Sequence, residues 1–133
     1  MPQIICTVDV VLLTLKDSLL HVALLKRDHP PFAGVLALPG GYVNPEEDAD
    51  THDAAERMLR VKTGIASPYL EQLSTFSGRG RDPRGWSISV VYYALVNAEV
   101  IVQSGHPGVV MAAVGQLKGL PFDHQQIIEA ATH

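Results

Sequence analysis

The stretch at 38–65, "LPGGYVNPEEDADTHDAAERMLRVKTGI", decides how the rest of this 133-residue chain is read. It opens on Gly40 and Gly41, a pair that calls for a turn at positive φ or a close approach of backbone, because glycine alone leaves the room a Cβ would fill. Four carboxylates follow, Glu46, Glu47, Asp48 and Asp50, placed where the exposed amides and dipole of a helix start favour negative charge. From Asp50 or Thr51 to about Lys62 there is neither Pro nor Gly, so the spacing predicts the clearest helix of the chain, stopped by Gly64. On its wheel Ala54, Ala55, Met58 and Leu59 form the apolar side; His52, Asp53, Glu56, Arg57 and Arg60 lie mainly away from it.

Toward the N-terminus, Ile4 to Leu15 and Leu19 to Lys26 are β-rich runs about "KDS", the pattern of a hairpin. Arg27 to Gly34 reads as a loop, and "VLALPGG" as a short strand entering a turn. Toward the C-terminus, Tyr69 to Phe76 is expected as a strand and "SGRGRDPRG" as a loop. Trp86 to Val96 is apolar on both faces over its second half, which predicts a central strand. "SGHPG" is a loop, Val109 to Val114 a short apolar piece, and "PFDHQQIIEAATH" a second helix with Asp123 as its cap.

The composition, 47% hydrophobic and 18% charged, suits one globular domain that buries roughly two-thirds of its unfolded surface. A net charge of −4 and a pI near 5.8 argue against a broad phosphate-backbone surface, since that needs clustered Lys and Arg. Basic chemistry must be local, and Arg79, Arg81 and Arg84 bring three of the ten basic residues into six positions; guanidinium forks suit phosphate oxygens. The lone Cys6 excludes an internal disulfide and reads as a small buried thiol, in keeping with a reducing cytoplasm. "MPQIICTVDVVLLTL" carries Asp9 and falls short of the roughly 18 apolar residues of a membrane span, so a strand is expected and no membrane partner.

Around the opening stretch the sequence resembles the Nudix box. Gly41, five residues and Glu47 match its first half; Arg57, Leu59, Gly64 and Ile65 match its second. Nine residues, Asp48 to Glu56, stand where the family has seven, and the three helix glutamates fall on Met58, Val61 and Lys62. The resemblance implies the Nudix fold, an α/β architecture with a mixed β-sheet sandwiched between helices, in a single domain over 1–133. It also implies diphosphate chemistry in which glutamates hold Mg²⁺ or Mn²⁺. Positions i, i+3 and i+4 share a helix face, which suits a metal site; Met and Val offer no hard oxygen, and Lys repels a cation.

"YLEQLSTFSGRGRDPRGWSISVVYYALV" and "LPFDHQQII" narrow the resemblance to the ADP-ribose-binding Nudix domains of bacterial NAD-metabolism regulators and related ADP-ribose pyrophosphatases, over roughly Val8 to Ile128. Those regulators continue into a winged-helix domain, whereas this chain stops at His133. The expectation is therefore no winged helix and no nucleic acid bound by this chain alone, with a homodimer left open.

The expected function is binding of a nucleoside diphosphate-linked ligand, ADP-ribose first, with weak or absent hydrolysis. Gly40, Gly41, Lys62, Phe76, Arg79, Arg81 and Arg84 are the expected ligand-binding residues. Glu47, Glu56 and Arg57 are the candidates for catalysis, with Glu47 and Glu56 as metal ligands if Mg²⁺ or Mn²⁺ is used. The alternatives are an active metal-dependent pyrophosphohydrolase using displaced Glu46, Glu47, Asp53 or Glu56, and a structural or interaction module that keeps only the fold. Each residue also has a plainer reading. The arginines can form an exposed loop with Asp82 as partner, Phe76 can be core, and Glu56 can pair with Arg60. Lys62 can be an ordinary cation in a last helical turn, and Phe122 and His124 can fasten the last helix.

Overall fold

A computed structural model describes residues 3–66, 69–103 and 106–132; Ser104 and Gly105 of the expected "SGHPG" loop lie outside them. In chain order the elements are β1 (Ile5–Lys16), β2 (Leu19–Lys26), β3 (Leu36–Ala37), β4 (Gly40–Tyr42), α1 (Thr51–Thr63), β5 (Glu71–Gly78), β6 (Ser87–Leu95), α2 (Ala98–Val102), β7 (Val109–Ala113), a 3₁₀ turn at Val114–Gln116, and α3 (His124–Ala131).

One mixed sheet runs β3-β2-β1-β6-β5, with β4 on β1 and β7 on β2. β1 is its axis. It pairs in parallel with β6 from Ile5↔Ser87 to Leu13↔Leu95, and β6 lies between β1 and β5, the central place its two apolar faces predict. On its other edge β1 changes partner: Thr7, Val8 and Asp9 pair with β4, and Leu13 to Lys16 with β2. The edge is split beside Asp9, and a cleft opens there.

The period of two along β1 sorts the core into two layers. Val8, Val10 and Leu12 pack with Ala54, Ala55, Met58 and Leu59 of α1 and Ile101 of α2. Val11 and Leu13 pack with Val22 and Leu24 of β2 and Ile127 and Ile128 of α3. The sheet thus sits between helices. Burying Met58 or Leu59 stabilises by roughly 1.5–3 kcal/mol each. α1 begins and ends as its sequence predicts: the Asp50 side chain accepts from the Asp53 amide, and Gly64, at φ 73°, closes the last turn onto the Arg60 carbonyl.

Several expectations fail locally. Cys6 is exposed, because it precedes the stretch of β1 that is buried, Thr7 to Thr14. Asp123 makes no capping bond to α3; its carboxylate is taken by Arg81. Glu56 pairs with His52 at 2.9 Å rather than with Arg60. Gly40 and Gly41 lie in β4 itself, and no positive φ requires either. α2 was not foreseen; at five residues, with Asn97 accepting from the Glu99 amide, it is too short to show a period.

Candidate functional site

The cleft beside Asp9 is bounded by β4, the last turns of α1, the segment after β2, the arginine-rich loop and the start of α3. Its floor rests on Gly40, where a Cβ would overlap Asp9 Oδ1 and stand 2.9 Å from the Val8 carbonyl oxygen. That close approach accounts for the glycine. By strand parity Asp9 faces α3, and it is only 5% exposed. Ser89 Oγ donates to its Oδ2 at 2.5 Å, and His124 Nε2 lies 3.4 Å from its Oδ1. The Leu38 amide donates to His124 Nδ1 at 3.1 Å, so that nitrogen is an acceptor and the ring proton sits on Nε2, toward Asp9. Burial works against the Asp9 carboxylate, but His124, Ser89 and Arg81 outweigh it and hold the group below its ordinary pKa.

Five Lys and Arg side chains line the cleft, and three of them, Arg84, Arg27 and Lys62, bear on what it can bind. Arg84 grips Asp82 with Nε and Nη2, at 3.0 and 2.7 Å, and donates from Nη1 to the Tyr42 hydroxyl at 2.6 Å. Its guanidinium lies between aromatic rings, 5.2 Å from that of Tyr42 and 5.7 Å from that of Phe122. Arg27 covers Phe122 at 5.1 Å. Phe122 holds φ 55°, an uncommon backbone conformation for so bulky a residue. Lys62 Nζ donates to the Gly40 carbonyl at 2.5 Å and lies across Gly41, whose Cβ would stand 3.4 Å away. Burial first, then the Arg27 charge, lowers the Lys62 pKa; burial and Arg84 lower that of Arg27. Such a site is electrostatically receptive to an anion. A second cleft adjoins it, sharing Arg27, His29, Leu38, Gly40, Val61 and Lys62, and the two measure about 210 and 300 Å³. Small-molecule sites fall in the range of roughly 300–1,000 Å³.

The sequence-predicted residues divide. Gly40, Gly41, Arg57, Lys62, Arg81 and Arg84 line the first cleft; Glu47, Glu56, Phe76 and Arg79 do not. Arg81 is committed to structure: its fork holds Asp123 at 2.8 and 2.6 Å, Nη1 donates to Ser87 Oγ, and its side chain is 8% exposed. Phe76 packs against the core layer on the α3 side, and Arg79 is exposed. Glu47 and Glu56 border a separate depression with Asp53 and Arg60. Arg57 joins the two places. It forks onto Asp48 at 2.7 and 2.9 Å and donates to the Tyr42 carbonyl at 3.1 Å. That fork pulls the Asp48 pKa down to about 2.

Asp9, Arg27 and Tyr42 escaped the sequence reading as site residues. Asp9 did leave a signal, a lone charge inside a long apolar strand. Arg27 left none, since an arginine after a strand is ordinary.

The residues present do not fit Mg²⁺ or Mn²⁺. Met58 is buried, Val61 is 66% exposed, and Lys62 brings a positive charge to the cleft. The carboxylates that line it, Asp9 and Asp82, are already bound by Ser89 and His124 and by Arg84. Among the described residues no group of three or more His, Cys, Asp or Glu is placed to hold a metal ion, and no helix is long and apolar enough to cross a membrane.

Comparison with known proteins matches the NUDIX domain model to residues 6–130. The chain is 37% identical to an ADPR responsive transcriptional repressor, NtrR, of Acinetobacter baylyi, over 98% of this chain and 54% of that one. It is 32% identical to an ADP-ribose pyrophosphatase of Methanocaldococcus jannaschii, over 86% of this chain and 66% of the relative. It therefore spans about half the length of the first and about two-thirds of the second. Among solved structures, the NUDIX domain of Shewanella oneidensis NrtR complexed with ADP ribose superposes with a TM-score of 0.89 at 36% identity, covering 99% of this chain and 88% of that one.

Proposed function

This chain belongs to the NUDIX domain family, and on that premise we propose that it binds a nucleoside diphosphate-linked ligand, ADP-ribose first, with little or no hydrolysis. The observation that carries this reading is the cleft lined by Arg27, Lys62, Arg84 and the glycines of β4, in which the carboxylates among the described residues, Asp9 and Asp82, are already engaged. Cations and N–H donors recognise a diphosphate; Tyr42 and Phe122 offer aromatic walls to a flat nucleoside. Similarity to a domain complexed with ADP ribose supports the choice of ligand.

Diphosphate hydrolysis in this family draws on metal-held water, and the residue set described above gives a metal no seat. Arg57 orders the Asp48 loop and so shapes the cleft rim. The second reading, a working pyrophosphohydrolase, is favoured by the similarity to an ADP-ribose pyrophosphatase and would draw on Glu47 and Glu56 from the neighbouring depression. Calorimetry with ADP-ribose, followed by assay of AMP release with Mg²⁺ or Mn²⁺, separates the readings. Binding without release is expected. Metal-dependent AMP release that disappears in Glu56→Gln would replace this reading with the hydrolase.

A further inference from the structure

Arg27, Lys62 and Arg84, three of the cations that line the cleft, differ in what already holds them. Arg84 is anchored by Asp82 and Tyr42. Arg27 donates from Nε to the Pro31 carbonyl at 2.7 Å, while its Nη2 is buried with no hydrogen-bond partner among the described residues. Among the described residues Lys62 donates once, to Gly40, although an ammonium has three N–H bonds to offer. Among the described residues neither Arg27 nor Lys62 takes part in an ion pair. Both line both of the adjoining clefts.

A buried guanidinium N–H without an acceptor is unfavourable, and so are two neighbouring positive charges in a half-buried place. An anion beside them offsets the like charges. Lys62, moreover, stands at a helix position where the box resemblance places a metal-holding glutamate, and it reaches over Gly41 to the β4 backbone. A fixed monovalent charge is delivered where a divalent one is expected.

Resting on the ADP-ribose reading above, we infer that Lys62 and Arg27 together form a cationic seat that takes the place of the divalent ion. They hold the diphosphate directly, and binding requires no metal. An ammonium attracts the diphosphate without ionising a water, so the same substitution separates binding from turnover. A divalent ion bound to the diphosphate meets the two cations and gains nothing.

The test is calorimetry in chelator with two probes, ADP-ribose and inorganic pyrophosphate, repeated with added Mn²⁺. Wild type is expected to bind ADP-ribose in chelator, with affinity unchanged or lowered by Mn²⁺. Lys62→Met and Arg27→Gln should each weaken binding roughly tenfold to a hundredfold, and Lys62→Arg should recover part of the first loss. The wild-type metal titration stands even if a variant folds poorly. ADP-ribose binding that appears only with Mn²⁺, or affinity unmoved in both variants, overturns the seat and leaves the ligand reading intact. Lys62-dependent pyrophosphate binding without any ADP-ribose binding overturns the ligand reading and leaves the seat. Absence of binding by either probe, with and without Mn²⁺, overturns both.

Discussion

Asp48 and Arg57 show how one pair can be legible in sequence and still change meaning in the fold. Both lie within the box, yet Asp48 is a loop carboxylate with no helical neighbour until Arg57 forks onto it. The sign of its pH effect follows from the fork. The folded pKa, about 2, lies below the ordinary carboxylate value of 3.8, so the pair stabilises the fold fully above about pH 4 and loses that contribution as pH falls toward 2. Urea midpoints measured from pH 6 to 2 should fall across that window in wild type and fall less in Asp48→Asn. Equal slopes in the two proteins would remove Asp48 from the account. Gly40 makes the complementary point: the sequence announces a glycine with a reason, but the reason is the Asp9 carboxylate beside it.

On the scale of elements, α1 carries two demands on one face. Ala54, Ala55, Met58 and Leu59 must be apolar to pack against β1, and position 58 is also where the family resemblance places a metal ligand. With Met58 buried, the core layer gains a hydrophobic contact and the metal site loses a carboxylate. Returning the three glutamates therefore has a cost. In Met58→Glu/Val61→Glu/Lys62→Glu, three carboxylates crowd one helix face, one of them at a buried position, and an unpaired buried charge is destabilising. The triple variant should melt below wild type in chelator and recover part of that loss with Mn²⁺, as binding to the folded state stabilises it. A melting temperature indifferent to Mn²⁺ would show that the face cannot be returned to metal binding by these positions alone.

For the whole molecule, the decisive arrangement is a sheet with α1 on one side and α3 on the other, split at one edge beside Asp9. α3 supplies both core and cleft: Ile127 and Ile128 are fully buried, while His124 and the preceding Asp123 hold Asp9 and Arg81. Ile128→Ala should lower unfolding free energy by about 2–5 kcal/mol, measured by urea titration; a change below 1 kcal/mol would mean that α3 is not tightly docked. The sequence by itself determined the hairpin, the central β6 strand, and the bounds and apolar face of α1, because each is written in local periodicity, capping and spacing; the family was legible through the resemblance of residues 41–65 to a known motif. It also brought Gly40, Gly41, Glu47, Glu56, Arg57, Lys62, Phe76, Arg79, Arg81 and Arg84 into view as candidates. Only the tertiary structure decided where each of them sits. Arg81 meets Asp123 across 42 positions of sequence, and Ser89 meets Asp9 across 80. Which arginine is bound internally and which keeps an unpaired donor depends on where the sheet brings these partners. Local pattern encodes an element's own burial, whereas the partner of a charged side chain is set by distances through space that no sequence interval fixes.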